Sequence, residues 1–162
     1  MGVNELSAVL WRERELLELL TFKLEEEQLL LTAGKSRWIE HATREVEQVL
    51  DRLRSAGLER TVEVAVVAEE WGTDSETPLR ELVTHAPDGP WADIFTSHLR
   101  AMTELTSQIK QLRDENEQFL RAAARSTQET LASVHNDAAT YDSTGSGRSS
   151  FGGDSHFFDG RL

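Results

Sequence analysis

The chain has 162 residues, no cysteine, and 29 acidic against 17 basic side chains, giving a formal net charge of −12. That length suits one domain with a tail, and the acidic balance works against phosphate-driven nucleic-acid binding and docking on anionic lipid. The absence of cysteine removes disulfides, thiolate nucleophiles and cysteine-based zinc sites, and fits a reducing compartment, by default a cytoplasmic one; no stretch offers the ~20 apolar residues of a membrane-inserted helix, and no signal-peptide pattern follows Met1.

From Asn4, a plausible N-cap, Leu6, Leu10, Glu13, Leu17, Leu20, Leu24, Glu27 and Leu31 recur at alternating steps of three and four, the pattern of a long amphipathic helix. It is expected to stop near Gly34, with Ser36 able to cap the next helix, and so short a connection makes that helix antiparallel. From Trp38 the spacing returns as Ile39, Ala42, Val46, Val49, Leu53 and Ala56. Beyond Gly57, Val62, Val64 and Val66 alternate as in a strand, while Leu58, Val62, Ala65 and Val66 keep helical spacing; helix is the expectation, because a lone strand among helices leaves its ladder groups unpaired. Trp71-Gly72 through Pro78 is a breaker, with Thr77 as expected N-cap and Pro78 opening a short helix to about His85. Pro87-Asp88-Gly89-Pro90 then forms a turn.

The longest periodic stretch runs from Trp91 to about Val134, roughly 65 Å of helix at the α-helical rise. Its seam of period 3.5 reads Phe95, His98, Met102, Leu105, Ile109, Leu112, Asn116, Phe119, Ala123, Ser126 and Thr130, with Leu120, Leu131 and Val134 on a drifted face. Large apolar residues crowd its first half and thin out in its second. The first half suits a permanent partner, the second a conditional one, and Asn116 in the seam suits a helix whose register must be fixed. After about Asn136 the composition turns to Gly, Ser and Asp, which cannot bury enough apolar surface to offset ordering, although Tyr141, Phe151, Phe157 and Phe158 stand there as isolated aromatics. The fold class is therefore all-α: an elongated antiparallel helical bundle or coiled coil, residues 1–135, with a long C-terminal helix and a disordered Gly/Ser-rich tail, residues 136–162.

Catalytic patterns do not assemble. Gly34-Lys35-Ser36 imitates the end of a phosphate-binding loop, but Leu29 stands where that loop's first glycine belongs and the upstream stretch is helix. A di-metal carboxylate bundle needs Glu three residues before His, and Trp38, Leu82, Phe95 and Ala132 occupy those places before His41, His85, His98 and His135. No cofactor, metal or catalytic residue is expected. Trp11, Trp38, Trp71 and Trp91 read first as core or junction residues.

On these residues the chain resembles the FlgN family of flagellar type III export chaperones, in particular its actinobacterial branch. The resemblance is most specific in Phe22-Lys23-Leu24-Glu25-Glu26-Glu27-Gln28-Leu29-Leu30-Leu31-Thr32-Ala33-Gly34 and continues through Thr43 to Glu47, Val62 to Ala65, Leu79 to Leu82, Asn116 to Leu120 and Thr140-Tyr141-Asp142. It implies a cytoplasmic helical chaperone that keeps hook–filament junction proteins monomeric and delivers them to the export gate. It further implies that the C-terminal helix grips the client and that a tyrosine beyond it, matched by Tyr141, docks on the export-gate platform protein. The Phe-containing extension after Asp142 is not explained by the resemblance.

The residues support the same mechanism, an amphipathic helix laid in an apolar groove. Leu112, Asn116, Phe119, Leu120, Ala123, Leu131 and Val134 are the expected client-binding residues, while those before Ile109 pack permanently on the first two helices. The alternative is a structural coiled-coil scaffold without client binding, for which the seams alone suffice; a homodimer is compatible with either.

Overall fold

A computed structural model of the chain describes the backbone of residues 2–144 and the side chains of residues 2–138. Among them are four α-helices, α1 (Gly2–Thr32), α2 (Ser36–Glu70), α3 (Leu79–Leu82, continued by a 3-10 turn, Val83–His85) and α4 (Trp91–Thr144), and no strand. The all-α expectation with a long C-terminal helix holds. By its contacts the chain divides into a first unit, Met1–Arg121, and a second, Ala122–Leu162.

In the first unit, α1 and α2 form an antiparallel hairpin. Their side-chain partners march in opposite directions: Gly2 N–H donates to Glu70, Arg12 to Glu59, Arg60 to Glu13, Lys23 to Glu45 and Thr43 to Glu27. Gly34, at φ 66°, ends α1 as expected: its N–H reaches the Leu31 carbonyl and the Lys35 N–H the Leu30 carbonyl, the paired bonds of a Schellman cap. The same device closes α2, where Gly72 at φ 72° donates to Glu69 and Thr73 to Ala68. Three expected caps are not used. Asn4 already lies inside α1, which begins at Gly2. Ser36 is already inside α2, preceded by Lys35 with no capping side-chain bond. Pro78 holds the N-cap position of α3, also without a side-chain cap, so Thr77 is one residue too early. Pro78 still serves: its carbonyl accepts the Glu81 and Leu82 N–H groups, and Asp74 turns the approach by accepting the Glu76 N–H at 2.9 Å.

α2 runs unbroken through Gly57. The helical reading of residues 58–66 is right but its buried face is not the one the valines suggest. Ala56, Val64, Val67 and Ala68 are buried, whereas Leu58, Val62 and Val66 are exposed. The side of α2 that meets α1 is fixed by the hairpin, and Val62 and Leu58 fall outside it.

α4 runs beside α1 in the same direction: His98 meets Trp11 edge-on, and farther along Asn116 bonds to Leu24 and Gln28 to Glu115. Two apolar clusters hold the three helices. One gathers Leu6, Leu10, Val67, Leu82, Phe95 and Met102; the other Leu20, Leu24, Val46, Val49 and Ile109. Each such fully buried side chain contributes about 1.5–3 kcal/mol, so the α3 segment, through Leu79 and Leu82, helps close the end of the first cluster.

In the second unit α4 continues as helix to Thr144, and Ala122 to Ala138 are all exposed. The helix thus extends past its expected end near Val134. Residues 136–144 contain neither Gly nor Pro, and the first breaker is Gly145. Residues 145–162, with Phe151, Phe157 and Phe158, lie outside the described residues, as does the expectation of a disordered tail made for them.

Candidate functional site

Along the α4 seam, Phe95, His98, Met102, Ile109 and Asn116 are buried and Leu105 and Leu112 half-buried; from Glu117 to Ala138 every residue is exposed. The change falls at a polar layer shared by three helices. Asn116, 2 % exposed, donates through Nδ2 to the Leu24 carbonyl at 2.9 Å and to Glu27 Oε1 at 3.1 Å, while Thr43 Oγ1 of α2 donates to Glu27 Oε2 at 3.0 Å. Beside this layer, Gln111 and Gln28 both donate to Glu115 and hold its carboxyl below the usual range. Glu27 sits in the apolar seam of α1 because its two oxygens find partners on the other two helices. Asn116 Oδ1, by contrast, is buried with no partner among the described residues.

A cleft of about 490 Å³ opens beside this layer. Val46 and Leu50 of α2, Ile109, Arg113 and Leu120 of α4 and Leu24 of α1 line it, together with Asn116. Its base is apolar and Lys110, Arg113, Asp114, Glu47 and Glu117 give it a charged margin, the anatomy of a site that accepts an amphipathic segment.

The expected client residues divide in three. Leu112 packs on the second core cluster and Asn116 faces inward in the polar layer, so both belong to the bundle interior. Phe119 and Leu120, at 40 % and 38 % exposed, close the first unit with free apolar surface. Ala123, Leu131 and Val134 are exposed in the second unit. Tyr141 falls in the last turn of α4. The α2 wall of the cleft escaped the sequence reading, since nothing in the periodicity of α4 says which residues of another helix stand opposite.

The tryptophans split evenly. Trp71 and Trp91 are junction residues, with ring centroids 6.0 and 5.5 Å from Phe95, while Trp11 and Trp38 are exposed. His98 is a core histidine: it meets Trp11 edge-on at 4.9 Å, its Nδ1 lies 3.4 Å from Arg14, and burial, reinforced by Arg14, lowers its pKa below 6.5. Glu13 is its counterpart in the α1 seam, raised above the usual carboxylate value by burial and pulled back by Arg60 at 2.6 Å. Among the described residues no three His, Asp or Glu side chains cluster so as to hold a metal ion, and no helix is long and apolar enough to cross a membrane.

A three-helix core that leaves the late apolar residues of its longest helix uncovered defines a helical binding protein. The family model described as FlgN protein matches residues 1–149, and the chain belongs to the FlgN family, a family of flagellar export chaperones. A search of the curated proteins found no match, and a search of the solved structures found none.

Proposed function

We propose that this chain binds hook–filament junction proteins in the cytoplasm, keeps them monomeric and delivers them to the flagellar type III export gate. The observation that carries the reading is the end of burial along α4 after Asn116, with Phe119, Leu120, Leu131 and Val134 left exposed. Junction proteins assemble through helical termini, and a chaperone that replaces those contacts needs apolar anchors three and four residues apart, which Phe119, Leu120 and Ala123 supply, while Asn116 fixes the helix that presents them. The cleft between α2 and α4 adds an apolar seat at Leu120. Leu112 acts through packing; Ala123, Leu131 and Val134 extend the contact.

Phe119→Asp tests this. Client affinity falls at least about tenfold, roughly the worth of one good apolar anchor, while the melting temperature of the free protein stays within a degree or so, because Phe119 is not part of either core cluster. Equal loss of both would place Phe119 in the fold instead. Tyr141 is assigned to docking on the export-gate platform protein: Tyr141→Ala lowers secretion of the client and leaves its affinity unchanged, and a variant that loses affinity while docking normally overturns the assignment. Size-exclusion with light scattering separates this reading from a coiled-coil scaffold, which is a stable oligomer with no client.

A further inference from the structure

The first half of α1 and the start of α4 line a further cleft, of about 650 Å³, which shares no residue with the one beside the polar layer. Trp11 of α1 and Trp91 and Ile94 of α4 give it apolar walls, and Arg14 and His98 line it as well. Arg14 is the unusual member. Among the described residues three lysine or arginine side chains are half-buried, Arg14, Lys23 and Arg60. Lys23 holds Glu45 and Arg60 holds Glu13, each at 2.6 Å, as a cation withdrawn from water requires. Arg14 holds no carboxylate. Its guanidinium lies over the Trp11 ring, 4.5 Å from the centroid, and reaches His98 Nδ1 only at 3.4 Å, while its Nε is buried with no partner among the described residues.

Stacking on an aromatic ring occupies the flat face of a guanidinium and leaves its N–H edge for acceptors in the plane. A buried N–H without an acceptor is destabilising, so the fold holds in place a charged donor whose acceptor it does not itself supply. Neighbouring carboxylates do not fill the gap. Glu18 and Glu104 line a smaller cleft with Arg14, and Asp93 lines this one, yet all three are exposed and none forms an ion pair with it. A space of about 650 Å³ is also more than a small organic anion fills. Charge and shape together name the occupant. We propose that this cleft binds an acidic peptide segment in which the side-chain carboxylate of a glutamate or aspartate stands beside bulky apolar residues. The carboxylate takes the N–H groups of Arg14 that its present contacts leave unused, and the apolar residues lie against Trp11, Trp91 and Ile94. A protein of net charge −12 repels acidic chains at a distance. The cleft therefore selects a carboxylate that arrives with apolar surface to bury.

The test is an NMR titration of the full chain, followed at the indole N–H signals of Trp11 and Trp91. The probe is a short peptide, blocked at both ends, with glutamate between two leucines. A matched blocked peptide has glutamine in place of the glutamate, and a third has glutamine there and a free C-terminal carboxylate. The glutamate peptide shifts both signals and binds at least about tenfold more tightly than its glutamine counterpart, and added salt narrows the difference. Arg14→Gln brings the glutamate peptide down to the affinity of the glutamine peptide and leaves the latter unchanged. Because Arg14 is half-buried, the melting of this variant is measured alongside. Ser97→Glu, at an exposed position on the cleft, leaves Arg14 in place and supplies a tethered carboxylate that displaces the glutamate peptide. The proposal is overturned if the two blocked peptides bind alike or not at all, or if either variant leaves their difference intact. It is equally overturned if the shifts fall at Leu120 rather than at Trp11 and Trp91, or if only the peptide with the free C-terminus binds, which would make the ligand a chain end.

Discussion

Three buried polar residues decide more about this molecule than their number suggests. Glu13, Glu27 and His98 all occupy seam positions where an apolar residue is the simpler choice, and each is tolerated for a separate physical reason. Glu13 has Arg60, Glu27 has donors from two helices, and His98 stays neutral between Trp11 and Arg14. The histidine makes stability depend on pH in a direction that follows from its lowered pKa. The unfolded chain takes up a proton on this group near pH 6.5, whereas the folded chain does not until lower pH. Its contribution is therefore complete above that value and is lost as the pH falls from there through the folded pKa. Glu13 works the other way at lower pH: its raised pKa means that protonation relieves the cost of a buried charge. The melting temperature is thus expected to drop just below pH 6.5, and His98→Gln to flatten that drop; a wild-type profile matched by the variant assigns the dependence to another group.

At the scale of elements, the question is how α4 finds its register on α1 and α2, because a 3.5-residue apolar seam by itself permits sliding by a heptad. Asn116 answers it. Its amide bonds to a main-chain carbonyl and to Glu27, whose other oxygen is held by Thr43, and a shift of α4 by one heptad leaves Glu27 and the Leu24 carbonyl without these donors. Asn116→Ala is accordingly expected to cost about 1–3 kcal/mol in denaturant unfolding, the penalty of stranding a buried acceptor, even though alanine is the better helix former. Asn116→Leu probes specificity separately, since it adds apolar surface while removing the register signal. The helix ends obey simpler rules: Gly34 and Gly72 adopt positive φ and close α1 and α2 with the same pair of bonds.

For the whole molecule, the consequence is an uneven distribution of stability. Residues of α4 from Phe95 to Ile109 share both core clusters with α1 and α2, whereas those from Ala122 to Ala138 are exposed throughout. Amide hydrogen exchange should follow: protection near that of the hairpin for α4 amides up to about Asn116, faster exchange from Ala122 onward, and slowing of the latter when a client is added. Uniform protection along α4 in the free protein would mean that its later apolar side chains are already covered and would remove the basis for client binding there. The late apolar residues of α4, from Phe119 onward, lie outside both core clusters, which lets the proposed binding surface and the stability of the fold be altered separately.

Periodicity determined the helices themselves. Hydrophobic spacing of 3.5 residues marked α1, the start of α2 and the whole buried seam of α4, glycine marked the ends of α1 and α2, and the thinning of large apolar residues after Leu112 anticipated where burial stops. These are local properties, and local sequence carries them. What only the tertiary structure decided is which side of a helix meets which neighbour. Leu58 and Val62 are as apolar as Val64 and Val67, yet the first two are exposed and the last two buried, because the hairpin fixes the rotation of α2. Glu27, Thr43 and Asn116 lie far apart in the chain and have no shared spacing, so their common polar layer, and the α2 wall of the cleft beside it, come into being only when three helices are set side by side.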